Sequence, residues 1–208
     1  MGKLARPGAP PLPDHLRLSA RESLPDDLLY LTRQHPRDTW ESGAATAQVA
    51  QAWLHFHEQF RRAGGAISAQ INALREGHVK PGDFSPRFAS LASRFISGLE
   101  GHHGVEDDYY FPTFMKAEPG LARGFEILDS DHDAVHGGLE RFANASAELL
   151  RALAADQEAL GSDQRFALDR LAQDWTAFRK HLLRHLDDEE DIVIPLMIEL
   201  ARRGAGAA

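Results

Sequence analysis

Two segments of the chain repeat one arrangement of metal-binding side-chain types. His102 and Glu106 stand four residues apart with Pro112 six beyond the glutamate, and His185 and Glu189 repeat that spacing with Pro195 six beyond. The flanks echo as well, H-H-G-V-E-D-D-Y-Y-F-P in the first copy and H-L-D-D-E-E-D-I-V-I-P in the second. On a helix, residues four apart project about 40° from one another and about 6 Å along the axis, so His and Glu leave one face. Imidazole suits iron, zinc and copper, and carboxylate can bridge two ions while offsetting part of their charge. A single His-x3-Glu is an ordinary solvent-facing pair contributing roughly 0.2–0.5 kcal/mol. Two copies with matching prolines point instead to a site built from two halves.

Each half has histidines upstream. D-H-D-A-V-H places His132 and His136 one helical turn apart, and L-H-F-H-E-Q-F offers His55 and His57, which project about 200° apart, so only one of them can face an interior. Trp53, Phe56 and Phe60 share a side of that segment, and periodicity alone leaves the choice open. The spacing favours His57, which lies 45 residues before His102 as His132 lies 53 before His185. The doubled pattern therefore selects His57, His102, Glu106, His132, His185 and Glu189, with His136 as a further candidate ligand. Glu190 rivals Glu189 within the acidic run at 187–191, and His55 is the alternate to His57. His181, one turn before His185, is placed to orient a ligand or line a pocket mouth. His103, one residue out of register, is expected beside the ligands or exposed, while His15, His35 and His78 are expected to be solvated. Four or five neutral imidazoles and two carboxylates offset only two charges, so two divalent ions would leave about +2 and an open coordination position for a small ligand. Ferritin-like bundles use more carboxylate and the order Glu-x-x-His, so this His-rich set belongs to a different class.

Such a set needs helices to carry it. A first helix is read over about 44–76, stopped by Gly77 and V-K-P-G, and a second from Ser85 as N-cap and Pro86 as first helical residue to about 116. A third follows Pro119-Gly120 to about 154, and a fourth follows Gly161-Ser162-Asp163 to near Gly204. Pro112 and Pro195 are expected to interrupt their helices at matching places. No stretch alternates like a strand. The fold class is all-α, an up-down-up-down four-helix bundle over 44–204, preceded by an irregular arm, 1–43, whose Leu28, Leu29, Leu31 and Trp40 suit packing on the bundle.

Composition narrows the functions. The net charge of -8 over 208 residues argues against nucleic acid and against an anionic membrane surface. The absence of cysteine excludes disulfides, thiolate zinc, iron–sulfur ligation and thiol catalysis, leaving His, carboxylate or water to hold a metal. Neither a signal peptide nor a membrane span is legible, so a cytoplasmic location is expected. A protein partner or homo-oligomer is left open.

At these residues the sequence resembles the hemerythrin-like (HHE cation-binding) family over about 44–203. The two His-x3-Glu segments are similar to the family's paired motifs, His57 in H-E-Q-F-R to its first-helix ligand, and His132 in D-H-D-A-V-H to its third-helix ligand. The resemblance implies two iron ions in an oxo- or hydroxo-bridged di-iron centre, with Glu106 and Glu189 as bridging carboxylates and the histidines as terminal ligands. It implies binding of O2, NO or peroxide for sensing, storage or stress protection. The alternatives are an enzyme that decomposes peroxide, reduces NO or donates iron for cluster repair, and a zinc-bound or metal-free structural bundle. The sequence mixes branches: His136 matches the His-x3-His of the five-histidine oxygen-binding branch, whose last carboxylate falls at Glu190, while the absence of cysteine departs from the repair branch.

Overall fold

The structure, a computed structural model, describes residues 12–40 and 48–205. The described residues are helical and contain no strand. A short helix α1 (Tyr30–Gln34) lies in the arm among 3-10 turns at Asp14–Leu16, Asp26–Leu28 and Arg37–Thr39. The long helices are α2 (Gln48–Arg75), α3 (Pro81–Val105), α5 (Ala122–Leu153) and α6 (Ser162–Ala205), with a π-helical turn (Glu106–Tyr110) and the short α4 (Phe111–Ala117) between α3 and α5. Residues 44–47 of the expected first helix lie outside the described residues.

The long helices close a ring in which α2 packs on α3, α3 on α5, α5 on α6 and α6 on α2. Their apolar residues form two cores. One gathers Phe60, Ile67, Phe88, Phe95, Leu99, Leu139, Phe142, Trp175 and Leu186. The other gathers Trp53, Phe111, Phe125, Leu128 and Ile192 together with Leu16, Leu24, Leu28, Leu31 and Trp40 of the arm. On α2, α5 and α6 the candidate ligands fall between a residue of one core and a residue of the other, and on α3 His102 and His103 follow Leu99 of the first core, with Phe111 of the second beyond the π turn. The polar cage is thus a single layer sealed above and below by hydrocarbon, where each charge without a partner is costly. Gly138 allows α5 and α6 to approach, since a Cβ there would sit 2.6 Å from the Phe178 ring.

Three local expectations are corrected. α3 begins at Pro81, with Lys80 as N-cap, because the proline of V-K-P-G itself supplies the pre-set φ of a first helical residue. Ser85 is interior and its hydroxyl donates to the Pro81 carbonyl at 2.8 Å, and the Gly82 amide finds the Gln157 carbonyl at 3.0 Å. Pro112 does mark a break, but the chain absorbs it one turn earlier, in the π turn. Pro195 interrupts nothing: α6 runs through it. A proline leaves the carbonyl four residues before it without its helical donor, and here the Thr32 hydroxyl of the arm donates to the Asp191 carbonyl.

Candidate metal centre

Each long helix delivers its part through a buried stripe. On α2 the stripe is Trp53, His57, Phe60, Gly64 and Ile67, which places His57 inside and leaves His55 exposed, with Gln59 Nε2 donating to it at 2.6 Å. Phe56 is also outside, 53% exposed. On α3 both His102 and His103 reach the interior side, and α5 and α6 contribute His132, His185 and Glu189.

The side chains form two groups, His57, His102, Glu106 and Glu189 in one and His103, His132 and His185 in the other, each with potential ligand atoms within 4.8 Å of one another. The carboxylates join them. Glu106 Oε1 is 2.9 Å from His102 Nε2 while its Oε2 is 3.5 Å from His132 Nε2. Glu189 Oε1 is 3.3 Å from His57 Nε2 while its Oε2 is 3.2 Å from His185 Nε2. Each glutamate therefore turns one oxygen to each group. His57 Nε2 and His102 Nε2 face each other at 3.2 Å, and the His103 and His132 rings stack at 4.0 Å.

A ring of polar partners holds these rings from behind. Glu190 Oε1 lies 3.0 Å from His57 Nδ1 and Asp107 Oδ1 lies 2.8 Å from His132 Nδ1, which turns each Nε2 inward. Asp131 Oδ2 lies 3.6 Å from His185 Nδ1. Trp53 Nε1–H donates to Glu189 Oε1 at 2.6 Å. The backing carboxylates are themselves paired: Glu190 accepts from Arg61 at 2.6 Å and from Arg37 at 3.2 Å. Arg21, reaching in from the arm, grips Asp131 with both terminal nitrogens and donates Nε–H to Asp188 at 2.9 Å.

Burial and the neighbouring carboxylates pull the cage imidazoles in opposite directions. Burial alone would lower His57, but Glu189 and Glu190 outweigh it and hold it raised. Burial is likewise overcome at His185, where Asp131 and Glu189 push the imidazole up to about 9. At Glu189 burial opposes ionisation, but His57 and His185 keep it well below the usual range. Burial, reinforced by that neighbouring charge, pushes Glu106 well above it. Burial lowers His102 to about 3, and also lowers His103 and His132. The neighbouring carboxylates thus outweigh burial at His57 and His185, while burial prevails at Glu106, His102, His103 and His132. Most of the buried side-chain nitrogens and oxygens without a hydrogen-bond partner among the described residues belong to it: His103 Nε2, both Glu106 oxygens, His132 Nε2, both His185 nitrogens and Glu189 Oε2. Such groups cost about 1–3 kcal/mol each when left unmet. Nitrogen and carboxylate donors without sulfur fit a borderline ion such as iron or zinc.

A family model, the hemerythrin HHE cation binding domain, matches residues 48–196. The chain belongs to this family. Neither a curated protein nor a solved structure matches it. The hemerythrin domain is thus a cation-binding helical domain carrying a His/Glu cluster, and no helix among the described residues is long and apolar enough to cross a membrane.

The hemerythrin domain brings together His57, His102, Glu106, His132, His185 and Glu189 and does not bring in His136. That residue is exposed, with Nε2 3.3 Å from Glu140. A turn after His132 the α5 surface has already rotated outward, so one histidine of the pair faces in and the other out. Glu190 sits behind His57 instead of between the groups, and His181 is half-buried and outside both. His103, expected beside the ligands or exposed, lies in the second group with His132 and His185. Its signal was present: a helix in a four-membered ring has two partners at nearly right angles, and consecutive residues project 100° apart. Hence His102 meets α2 through His57 and His103 meets α5 through His132. Trp53, Asp107, Asp131 and Arg21 carried no pattern that would single them out.

Openings on both sides of α3 reach the cage among the described residues. Between α2 and α3 an apolar groove of about 570 Å³, lined by Val49, Trp53, Phe56, Phe60 and Val105, ends at His102 and Glu106. Between α3 and α5 a second pocket of similar size, lined by acidic side chains and His136, ends at His103 and His132.

Proposed function

We propose that this chain is a non-haem di-iron protein that binds a small ligand, O2, NO or peroxide, in the bundle core for sensing, storage or stress protection. The observation that carries it is the pair of glutamates that each turn one oxygen to each histidine group, all in a buried layer whose donor atoms lack other partners. His57 and His102 would hold one ion and His103, His132 and His185 the other, with Glu106 and Glu189 shared. When bound, the ions supply a redox-active centre with a position for a small neutral ligand. The chain's own residues do the rest. Glu190, Asp107 and Asp131 orient imidazoles, Trp53 fixes Glu189, and the aromatic walls of the α2–α3 groove admit apolar molecules while keeping bulk water from the cage. The order in which α2, the α3–α4 segment, α5 and α6 pass from one core to the other supports an up-down-up-down bundle over 44–204 with 1–43 as an N-terminal arm, and the cysteine-free sequence fits a cytoplasmic location.

Turnover of NO or peroxide at the same centre is a second reading. It is favoured by the position of His136 outside the cage and of Glu190 behind it, both departures from the oxygen-binding branch that the motifs resemble. Metal quantification with absorption spectra under O2 and NO decides. Two irons per chain and a reversible O2 spectrum are the expected result; rapid consumption of NO or peroxide gives the second reading, and zinc or no metal after iron-rich expression overturns both.

A further inference from the structure

The two openings differ in chemistry, one lined mostly by apolar side chains and the other by carboxylates and histidines. Its rim carries Glu100, Asp108, Asp133 and His136, all exposed, and its floor is His103 and His132, 8% and 3% exposed. His103 Nε2 and His132 Nε2 are buried without hydrogen-bond partners at the bottom of it. Asp107, part-way down, holds His132 Nδ1. Gly104, on the α3 wall, leaves open space: a Cβ there would meet nothing within 4 Å. An acidic rim above unpartnered imidazole nitrogens is a gradient of increasing affinity for a divalent cation, from screened carboxylates through one exposed imidazole to the buried cage.

We propose that the α3–α5 pocket is the loading port through which a divalent cation reaches the cage, with Asp108, Asp133 and His136 as a transient outer station. The inference rests on the di-iron reading and assigns His136 a role outside the final ligand set. A neutral diatomic gains nothing from the acidic rim, and a hydrated cation gains nothing from the apolar groove, so each side of α3 serves a different traffic. Carboxylates at a pocket mouth raise the local concentration of a cation and with it the capture rate, by about ten- to a thousandfold, an attraction that salt screens.

The test is ferrous loading of the metal-free full chain under anaerobic conditions, followed as bound iron against time. Wild type is expected to load more slowly as ionic strength rises. The triple variant Asp108→Asn, Asp133→Asn, His136→Ala is expected to load about tenfold more slowly at low salt, to lose the salt dependence, and to reach the wild-type final iron content. Gly104→Leu, which puts a side chain into the pocket where a Cβ meets nothing within 4 Å, is expected to slow loading at unchanged content, while Gly98→Ala on the apolar side leaves the rate unchanged. Wild-type rates in both the triple variant and Gly104→Leu overturn the port alone. A lower final content in the triple variant makes those residues permanent ligands and also overturns it. A wild-type chain that takes up no ferrous ion overturns the di-iron reading, and the port falls with it.

Discussion

The two His-x3-Glu segments are near-copies in sequence and unlike in structure. The first ends in a π turn that starts at Glu106 itself, and it gives the cage three side chains, His102, His103 and Glu106. The second lies in an unbroken helix and gives two, His185 and Glu189. Both must accommodate a proline six residues beyond the glutamate. In the first copy the backbone widens locally; in the second the helix stays regular because Thr32 of the arm meets the carbonyl that Pro195 leaves free. The second copy is also the one gripped from outside, with Arg21 between Asp131 and Asp188 behind His185. A repeated motif therefore specifies donor types, and the surroundings specify how each copy is held.

The largest test of that comparison is removal of a glutamate. Because Glu106 and Glu189 each face both histidine groups, Glu106→Ala and Glu189→Ala are both expected to lose both ions, measured as iron per chain. His103→Ala is expected to lose one and His15→Ala none. Loss of a single ion in either glutamate variant would break the symmetry of the two carboxylates. Next comes the asymmetry in support. Arg21→Met leaves Asp131 buried beside His185 without its bidentate partner, and is expected to lower the urea unfolding free energy of the metal-free chain by about 3–5 kcal/mol. Arg37→Met, whose guanidinium is 45% exposed, is expected to cost under about 1 kcal/mol. Equal losses would mean that the arm clamps both sides alike. Thr32→Val is expected to cost about 1 kcal/mol in the same measurement, as the Asp191 carbonyl loses its donor, and the loss is expected to vanish in Pro195→Ala, where the helix supplies the amide again. The smallest effect is at His136→Ala, for which the equilibrium iron content is expected to match wild type.

Much of this was legible in one dimension. The helical text, the stop at Gly77 with φ +73°, the boundaries near 153 and 162, and the doubled His/Glu pattern depend on local propensity and on the 3.6-residue period, which sequence carries directly. His136 lies outside the cage and His103 inside it for a shared reason. Spacing along a single helix says which residues share a face, but in a ring of helices each helix has two inward directions, and the choice between neighbours a turn or a residue apart depends on how the helix is rotated against both partners. Ser85 was misread as a cap because Pro81 and Pro86 offer the same local signal, and only the reach of the Gln157 carbonyl to Gly82 distinguishes them.

Donor chemistry follows from residue types and spacing: nitrogen and carboxylate without sulfur, in two halves, on helices long enough to pass through a core. Tertiary structure alone decided which donors meet, because convergence depends on four helix rotations set by the packing of Phe60, Phe95, Leu128 and Ile192 around the cage. It also decided that an arginine more than a hundred residues from Asp131 would neutralise it. Long-range pairing of that kind is a property of the closed core, in which a buried charge must find a partner from whatever segment the fold brings to it.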